Sequence, residues 1–308
     1  MTENVIIIGS GPAGLTAAVY TAREDFNPLV ITGVEAGGQL LLTSIVENFP
    51  AFPEGINGSE LIDLIHRQAE KFGARFIGDN VVSVDLRSKP FKVKTQSQEY
   101  ESHSVIIATG ASAKWLGIPS EKNFISKGIS NCATCDAPFF KNKDVALVGG
   151  GDTAMEDSLF LAKFVKSITI IHRRDSFRAS KIMQERVKNS PKINIIWNSV
   201  VEEIKGDSKV KSIIIKDVNS GKKSEMDVEG LFVAIGYKPN TDFLKGSLDL
   251  DEAGYIVVQD EVKTKIDGVY VAGDVADHIY RQAITASSSG TKAALEVRAY
   301  LQNLAYSK

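Results

Sequence analysis

Residues 4–14 read Asn4-Val5-Ile6-Ile7-Ile8-Gly9-Ser10-Gly11-Pro12-Ala13-Gly14, an apolar run followed directly by a glycine loop. The apolar run predicts a buried parallel strand, and the Ala-rich residues 15–23 predict a helix after the loop. In such a unit, Gly9 allows the tight turn, Gly11 lets the backbone approach a pyrophosphate, and Gly14 lets the helix pack close to the sheet. The free N–H groups of the helix N-terminus face the phosphates. The stretch therefore predicts a dinucleotide-binding fold.

The same pattern occurs a second time in the chain. Residues 144–148 predict a buried strand, and Gly149-Gly150-Gly151-Asp152-Thr153-Ala154 follows it. Each half then continues through a helix, a strand and a meander (residues 81–94 and 200–216) to a buried strand that ends in small residues (105–110 and 231–236). One glycine motif alone is weak evidence, but two in matching contexts predict two nucleotide sites. The predicted fold class is α/β, with two Rossmann-like dinucleotide-binding domains, each with a small antiparallel meander.

The last seventy or so residues do not begin a third unit of this kind. Residues 268–274 predict a strand and residues 283–300 a helix. We expect this tail to return to the first domain, because Gly, Ser and Pro cluster at two candidate crossings, near 111–115 and 237–241. The predicted domains are residues 1–113 with 242–308, and residues 114–241.

Composition and charge exclude several functional classes. The chain is 43% hydrophobic and 24% charged, with a formal net charge of −2, which gives no electrostatic case for nucleic acid or an anionic membrane. No apolar run approaches the roughly 20 residues of a membrane-spanning helix. The N-terminus lacks a basic segment and a signal-like apolar stretch, which predicts a cytoplasmic protein.

Both cysteines of the chain lie in Cys132-Ala133-Thr134-Cys135, followed by Asp136. In the cytoplasm a Cys-x-x-Cys pair is more often redox-active or metal-binding than a structural crosslink. A structural zinc site needs about four ligands. With two cysteines and four scattered histidines, the sequence favours a redox pair and predicts no metal site.

The two glycine loops differ in the charge that follows them. A site for NAD usually has an acidic residue about 20 residues after the glycines, on the ribose 2′-hydroxyl. The second half has His172-Arg173-Arg174 there, with Arg178 one turn further. Guanidinium groups bind a 2′-phosphate in bidentate fashion, so this site should prefer NADPH. The first half has Glu35 at that place, either as the ribose-binding acid or as an exposed loop carboxylate, and it has nothing basic there, which favours FAD.

Together these motifs resemble the low-molecular-weight thioredoxin reductases, almost from end to end. The resemblance is carried by Gly37-Gly38-Gln39-Leu40, Val46-Glu47-Asn48, Ala108-Thr109-Gly110-Ala111, Cys132-Ala133-Thr134-Cys135-Asp136, His172-Arg173-Arg174-Asp175, Gly273-Asp274-Val275 and Tyr280-Arg281-Gln282-Ala283-Ile284, besides the first glycine loop. It implies a homodimer whose FAD domain is interrupted by an NADPH domain carrying the disulfide. It also implies that electrons pass from NADPH to FAD, to the Cys132–Cys135 disulfide, and to oxidised thioredoxin.

The glycine loops and the resemblance give the following candidate residues. Those predicted for FAD are Gly9, Gly11, Pro12, Gly14, Thr32, Glu35, Gly38, Gln39, Asn48, Gly273, Asp274, Arg281, Gln282 and Ala283. Those predicted for NADPH are Gly149, Gly151, Asp152, Thr153, Ala154, His172, Arg173, Arg174 and Arg178. By resemblance, Cys135 faces the flavin and Cys132 attacks the partner.

Three further features of the redox segment are relevant to the chemistry. Asp136 is the natural proton donor or acceptor for the thiol pair, or else a simple N-terminal helix charge. Asn131 is expected to cap a helix that starts at the motif, which would lower a thiol pKa. Phe139 and Phe140, just past the motif, are either a docking patch or core residues.

The chain departs from the family pattern at two places, and other functional classes stay open. Ala137-Pro138 stands where a Gly usually follows the redox motif, and Ser287-Ser288-Ser289-Gly290 replaces Ala-Gly-Thr-Gly near the flavin. One alternative is a flavin-dependent oxidase of small dithiols, against which Arg173 and Arg174 argue. Others are a flavoprotein like ferredoxin–NADP reductase, which does not need the cysteines, and a non-enzymatic nucleotide sensor with a structural disulfide.

Overall fold

The computed structural model of the chain describes residues 2–34, 36–42, 45–244 and 246–306, with the side chains of Leu42 and Tyr306 left aside. The chain forms two compact units. One comprises the described residues up to Ser112 and from Lys238 onward, and the other comprises Ala113–Tyr237. No helix in the described ranges is long and apolar enough to cross a membrane. The assignment of one cofactor to each unit, with the predicted bounds, stays a prediction.

The strands, in chain order, are β1 Thr2–Ile8, β2 Leu29–Ile31, β3 Ile45–Val46, β4 Ile56–Asn57, β5 Arg75–Ile77, β6 Val81–Asp85, β7 Phe91–Thr95, β8 Glu99–Ile107, β9 Ala111–Ala113, β10 Ile129–Ser130, β11 Asp144–Gly149, β12 Ser167–Ile171, β13 Ile193–Ile196, β14 Ser199–Gly206, β15 Val210–Asp217, β16 Lys223–Asp227, β17 Gly230–Ala234, β18 Tyr237–Pro239 and β19 Val269–Val271. The α-helices are α1 Pro12–Arg23, α2 Gly58–Lys71, α3 Ala133–Asp136, α4 Asp152–Leu161, α5 Lys181–Lys188 and α6 Ala283–Tyr306.

The first unit is built on a mixed sheet with the strand order β5-β2-β1-β8-β7-β6. Strands β5, β2, β1 and β8 run parallel, and β7 and β6 form the antiparallel meander beside the first part of β8. The C-terminal part of β8 pairs in parallel with β19, so the chain after residue 238 adds a strand to this sheet. The buried runs of β1, β2 and β8 are continuous apolar stretches because both faces of the sheet are covered, one by α1 and α6 and the other by residues of the meander and the tail such as Phe91, Leu244 and Leu248.

The second unit repeats this order with other strands. Its parallel sheet runs β10-β17-β11-β12-β13, and a separate antiparallel meander consists of β14, β15 and β16. In both units the first strand lies between the second strand and the strand that follows the meander. Chain direction across the sheet therefore reverses beside the glycine loop, where nucleotides bind in such folds. The predicted α/β class with two Rossmann-like domains, each with a meander, is confirmed.

Element bounds follow the sequence prediction closely where apolar runs are long. The predicted strand 167–171 and the predicted helix 181–188 match β12 and α5. Helix α1 begins at Pro12, three residues before the predicted start, because proline is favoured in the first turn. The tail helix continues six residues past the predicted end, to Tyr306. The crossing segments β9 and β18 pair with each other, which the Gly, Ser and Pro content of these segments did not predict.

Candidate active site

Cys132 and Cys135 form a disulfide at the start of α3. Ala133 and Ala137 anchor this short helix in the apolar core of the second unit. Pro138 lies in the first turn of a 3₁₀ helix, Ala137–Phe140, where the fixed φ of proline is tolerated. The departure from the family pattern at these two positions is therefore accommodated by packing Ala137 inward and starting a new turn at Pro138.

The expectation that Asn131 caps the redox helix is wrong. The chain is still extended at Cys132, so Cys132 itself occupies the cap position, and no side chain caps the helix. The Ser130 hydroxyl instead accepts a hydrogen bond from the Cys132 N–H at 3.0 Å. The Asn131 carbonyl accepts one from the Tyr237 hydroxyl at 2.9 Å. The turn that presents Cys132 is thus held by Ser130 and Tyr237.

Asp136 follows the disulfide with a carboxyl that is largely withdrawn from water. Burial raises the pKa of this carboxyl above its ordinary value, and a hydrogen bond from the Ser130 hydroxyl partly opposes the shift. The Asp136 N–H donates to the Cys132 carbonyl at 3.1 Å, which fixes the Asp136 backbone in the turn that carries the cysteine pair. A carboxyl with a raised pKa keeps its proton at a higher pH than an ordinary carboxyl does, so it can act as a general acid. It suits proton transfer better than a solvated helix charge would.

The two phenylalanines after the redox motif have different environments. Phe140 is 8% exposed and packs edge-on against Phe232, with ring centroids 5.0 Å apart. Phe139 is 39% exposed. Of these two residues, Phe140 thus belongs to the core and Phe139 lies on the surface.

The second glycine loop makes the turn between β11 and α4. A Cβ on Gly149 would lie 2.6 Å from the carbonyl oxygen of Ala234, so only glycine fits there. A Cβ on Gly151 would meet nothing within 4 Å, which leaves open space before the N-terminus of α4. Thr153 faces the same space, and Ala154 is fully buried against the strand end. This open backbone is where a pyrophosphate can approach.

The loop after β12 is fastened to this glycine loop. The Arg178 N–H donates to the Gly150 carbonyl at 2.8 Å. The Asp152 carboxylate accepts from the N–H and the hydroxyl of Ser180, at 2.9 and 2.8 Å, and these two bonds lower the pKa of Asp152. Asp152, predicted for NADPH, therefore has a protein partner that positions the loop carrying the arginines.

A cavity of about 630 Å³ lies over these two loops. The residues that line it include Arg173, Arg174, Arg178 and Lys114, and none of the described lining residues is Asp or Glu. Sequence reasoning missed Lys114, which comes from the crossing segment near residues 111–115. The concentration of cations next to open glycine backbone fits a nicotinamide dinucleotide with a 2′-phosphate.

In the first unit the glycine loop has the same construction. Gly9 has φ of +113°, and a Cβ there would overlap the carbonyl of Ala108 at the end of β8. A Cβ on Gly14 would overlap the Gly9 carbonyl, while one on Gly11 would meet nothing within 4 Å. Pro12 is the first residue of α1. The pair Gly9 and Ala108 thus corresponds to Gly149 and Ala234 in the second unit.

Segments distant in sequence meet at this first loop. A Cβ on Gly38 would lie 3.5 Å from the Cα of Gly11. The Ser10 hydroxyl donates to the Thr32 carbonyl at 3.1 Å and accepts from the Gly37 N–H at 2.9 Å. Gln39 is exposed, in a 3₁₀ helix Gly38–Leu42. Glu35, predicted for the flavin ribose, lies outside the described residues.

The tail completes the site from the other side. A Cβ on Gly273 would lie 2.9 Å from the Cβ of Ala13, so the Gly273–Val275 turn packs against α1. The Gly273 N–H donates to the Ser289 hydroxyl at 2.8 Å, which is one use of the serines that replace the family's Ala-Gly-Thr. Asn48 donates to Gln282 at 3.1 Å, which links the loop after β3 to the start of α6 at Ala283.

Asp274 is the titratable group of this first site. Burial raises the pKa of its carboxyl to about 7, with a further rise from Asp277 and an opposing effect of Arg281. Arg281 is held with φ of +49°, in a turn where the Asp277 carboxylate accepts the N–H groups of Ile279 and Tyr280 at 2.9 Å each. A partly buried carboxyl beside open glycine backbone fits a ligand with hydroxyls and a pyrophosphate, as FAD has.

Comparison with known proteins agrees with this geometry. The family model "Pyridine nucleotide-disulphide oxidoreductase" matches residues 3–290. A thioredoxin reductase of Streptomyces coelicolor is 50% identical, over 98% of this chain and 95% of its own. Solved thioredoxin reductases of Giardia duodenalis and Streptococcus pyogenes are 42% and 38% identical, with TM-scores of 0.93 and 0.94. Each comparison covers 98% of this chain, and 100% and 99% of the other.

These matches span almost the whole chain and confirm the predicted family and the predicted class, an oxidoreductase. Enzymes of this family use FAD and NADPH, the two cofactors predicted from the sequence. The alternatives outside this family are not favoured. The chain belongs to the pyridine nucleotide-disulphide oxidoreductase family and, within it, to the thioredoxin reductases.

Proposed function

We propose that this chain is an NADPH-dependent thioredoxin-disulfide reductase whose redox pair is Cys132 and Cys135. The observation that carries the proposal is a formed Cys132–Cys135 disulfide, followed at once by a carboxyl with a raised pKa, in the same unit as a cavity lined by four cations. When bound, NADPH supplies a hydride and FAD passes two electrons to a disulfide.

The two glycine loops and their neighbours would hold the cofactors. Gly9, Gly11 and Gly14 with Asp274 and Asn48 would bind FAD, and Gly149, Gly151 and Thr153 would bind the pyrophosphate of NADPH. Arg173, Arg174 and Arg178 would bind the 2′-phosphate.

The thiol chemistry then follows from the two cysteines and Asp136. The Cys132 thiolate attacks one sulfur of the thioredoxin disulfide, which forms a mixed disulfide and releases one thioredoxin thiolate. The Cys135 thiolate next attacks the Cys132 sulfur, which restores the Cys132–Cys135 disulfide and releases the second thioredoxin thiolate. Two electrons pass to thioredoxin, and its two thiolates each take up a proton. Asp136 follows the pair, and its carboxyl, whose pKa is raised by burial, would deliver a proton to a departing sulfur.

We propose further, on the family resemblance, that the enzyme works as a homodimer in the cytoplasm. Phe139, the exposed aromatic beside the disulfide, is the candidate contact with thioredoxin. Light scattering on the purified protein tests the first statement: a mass of one chain, about 33 kDa, would reject the dimer.

An anaerobic titration with NADPH tests the electron pathway. The absorbance of the flavin is followed in the parent protein and in Cys135→Ser. The parent should accept one equivalent of NADPH more than the variant, because the disulfide stores two additional electrons. Equal uptake would show that the cysteines are not connected to the flavin, which would favour a disulfide-independent flavoprotein such as a ferredoxin–NADP reductase.

The choice between NADPH and NADH tests the second site. Replacing Arg173 and Arg174 by Ala should raise the KM for NADPH by roughly 10- to 100-fold, since hydrogen bonds to charged groups contribute about 1.5–3 kcal/mol. The KM for NADH should change little. Equal effects on both cofactors would refute the phosphate assignment.

A further inference from the structure

The ring of His172 lies between the two loops of the nucleotide cavity and is 7% exposed. Its Nδ1 is 2.8 Å from the carbonyl oxygen of Gly149, and its Nε2 is 3.0 Å from the carbonyl oxygen of Ser176. Carbonyl oxygens only accept, so the ring donates to one of them in its neutral form and to both in its cationic form. Both polar atoms of the ring are therefore directed at protein backbone.

The faces of the ring are also covered by protein. The Phe177 and Trp197 rings lie 5.3 and 6.0 Å away, centroid to centroid. On the side of the glycine loop, a Cβ on Gly150 would overlap the His172 ring. Because the φ of Gly150 is not positive, it is the ring and not the backbone conformation that requires glycine at this position.

We propose that His172 is a positioning residue that fastens the arginine loop (residues 173–178) to the glycine loop (residues 149–151), and that it does not bind the 2′-phosphate. The inference rests on the proposed NADPH site. Arg173 and Arg174 belong to this arginine loop and are exposed. The two ring nitrogens of His172, in contrast, both contact backbone carbonyls and are not available to a ligand. Its place in the His-Arg-Arg motif is thus explained by the loop geometry.

The two ring contacts have separable consequences. The contact with Gly149 holds the loop that faces the pyrophosphate, which NADPH and NADH share. The contact with Ser176 holds the loop that carries the guanidinium groups, which only the 2′-phosphate needs. Loss of the contact with Gly149 should weaken the binding of both cofactors. Loss of the contact with Ser176 should weaken the binding of NADPH alone.

Two neutral substitutions separate these bonds. The amide nitrogen of Asn can take the place of Nδ1, and that of Gln the place of Nε2. His172→Asn therefore keeps the bond to Gly149, and His172→Gln keeps the bond to Ser176. We would measure the Kd of the FAD-loaded enzyme for NADP⁺ and for NAD⁺ by isothermal titration calorimetry.

The inference predicts opposite patterns for the two variants. His172→Asn should raise the Kd for NADP⁺ by about fivefold, the effect of one hydrogen bond, and leave the Kd for NAD⁺ nearly unchanged. His172→Gln should raise the Kd for NADP⁺ and the Kd for NAD⁺ by similar factors of about five. If both variants weaken NADP⁺ alone and equally, the ring contacts the phosphate and the proposal is wrong. Unchanged affinities in both variants would also overturn it.

A double-mutant cycle tests the packing against Gly150. Gly150→Ala should weaken the binding of both cofactors in the parent, because the new Cβ displaces the His172 ring. In a His172→Ala background the Cβ has room, so the same substitution should have a smaller effect. An equal effect in both backgrounds would refute the contact.

Controls separate this inference from the proposed function. His103→Gln makes the same exchange in β8 of the other unit and should leave both Kd values unchanged. A parent enzyme that binds NADP⁺ no more tightly than NAD⁺ would reject the NADPH site itself, whatever the His172 variants show. Normal selectivity in the parent with the wrong pattern in the variants would reject only the role of His172.

Discussion

Asp274→Asn should stabilise the flavin-free protein at alkaline pH. The folded carboxyl has a pKa of about 7, while the ordinary value, which applies to the unfolded chain, is 3.8. Below about pH 4 the carboxyl is protonated in both the folded and the unfolded protein, so it does not change the free energy of unfolding. Between pH 4 and 7 the unfolded chain loses its proton first, so each pH unit costs the folded state about 1.4 kcal/mol. The cost reaches an upper bound of about 4 kcal/mol above pH 7.

The assay is denaturant unfolding of the flavin-free protein at pH 4.5 and at pH 8. Asn has nearly the same shape as Asp and stays neutral, so the variant should match the parent within about 1 kcal/mol at pH 4.5. At pH 8 it should be more stable by a few kcal/mol. Asp267→Asn, an exposed carboxyl in the same unit, is the matched control and should show no such pH-dependent gain.

The effect of Asp274→Asn should be the opposite when FAD is present: the substitution should then be unfavourable. In the loaded enzyme Asp274 would accept hydrogen bonds from the cofactor, and Asn offers a weaker acceptor with no charge. The variant should therefore bind FAD less tightly while its flavin-free form unfolds less easily. A variant that is no more stable than the parent at pH 8, or whose advantage is the same at both pH values, would refute the reasoning from burial.

Four further substitutions test other parts of the site. Asp136→Asn should slow thioredoxin reduction by about 100-fold, as expected for a lost proton donor, with the NADPH-dependent loss of flavin absorbance unchanged in stopped-flow traces. Gly14→Ala should destabilise the protein by about 1–3 kcal/mol in denaturant unfolding, because its Cβ would overlap the Gly9 carbonyl. Phe140→Ala should cost about 3–5 kcal/mol in the same assay. Phe139→Ala should stay within about 0.5 kcal/mol and raise the KM for thioredoxin.

The sequence predicts the glycine loops of both sites, with the strand and helix on either side, because local patterns encode them. An apolar run, a glycine loop and a helix are consecutive in the chain, so Gly9, Gly14 and Gly149 could be placed before the structure was known. The strand ends that these glycines contact, at Ala108 and Ala234, were visible as small residues after apolar runs. Their proximity to the glycines depends on strand order, which the internal repeat made predictable.

What the sequence did not predict depends on contacts between distant residues. Lys114 reaches the nucleotide cavity from a crossing segment, and no local pattern distinguishes it from a solvated lysine. Asn131 was expected to cap the redox helix because it precedes the motif, yet the helix starts one residue later than that requires. Ser130 and Tyr237 hold the turn instead, and Tyr237 is over a hundred residues away.

The repeat also shows which part of a dinucleotide site carries specificity. Both glycine loops share one arrangement, a tight glycine against a strand end and an open one before a helix, and this arrangement suits any pyrophosphate. The sites differ in the side chains around the loops, a carboxyl at Asp274 in one and guanidinium groups at Arg173 and Arg174 in the other. Those side chains lie on segments that the glycine loop must hold at the correct distance. We therefore propose that cofactor choice in this chain depends on the hydrogen bonds that fix the second segment to the loop as much as on the charges themselves.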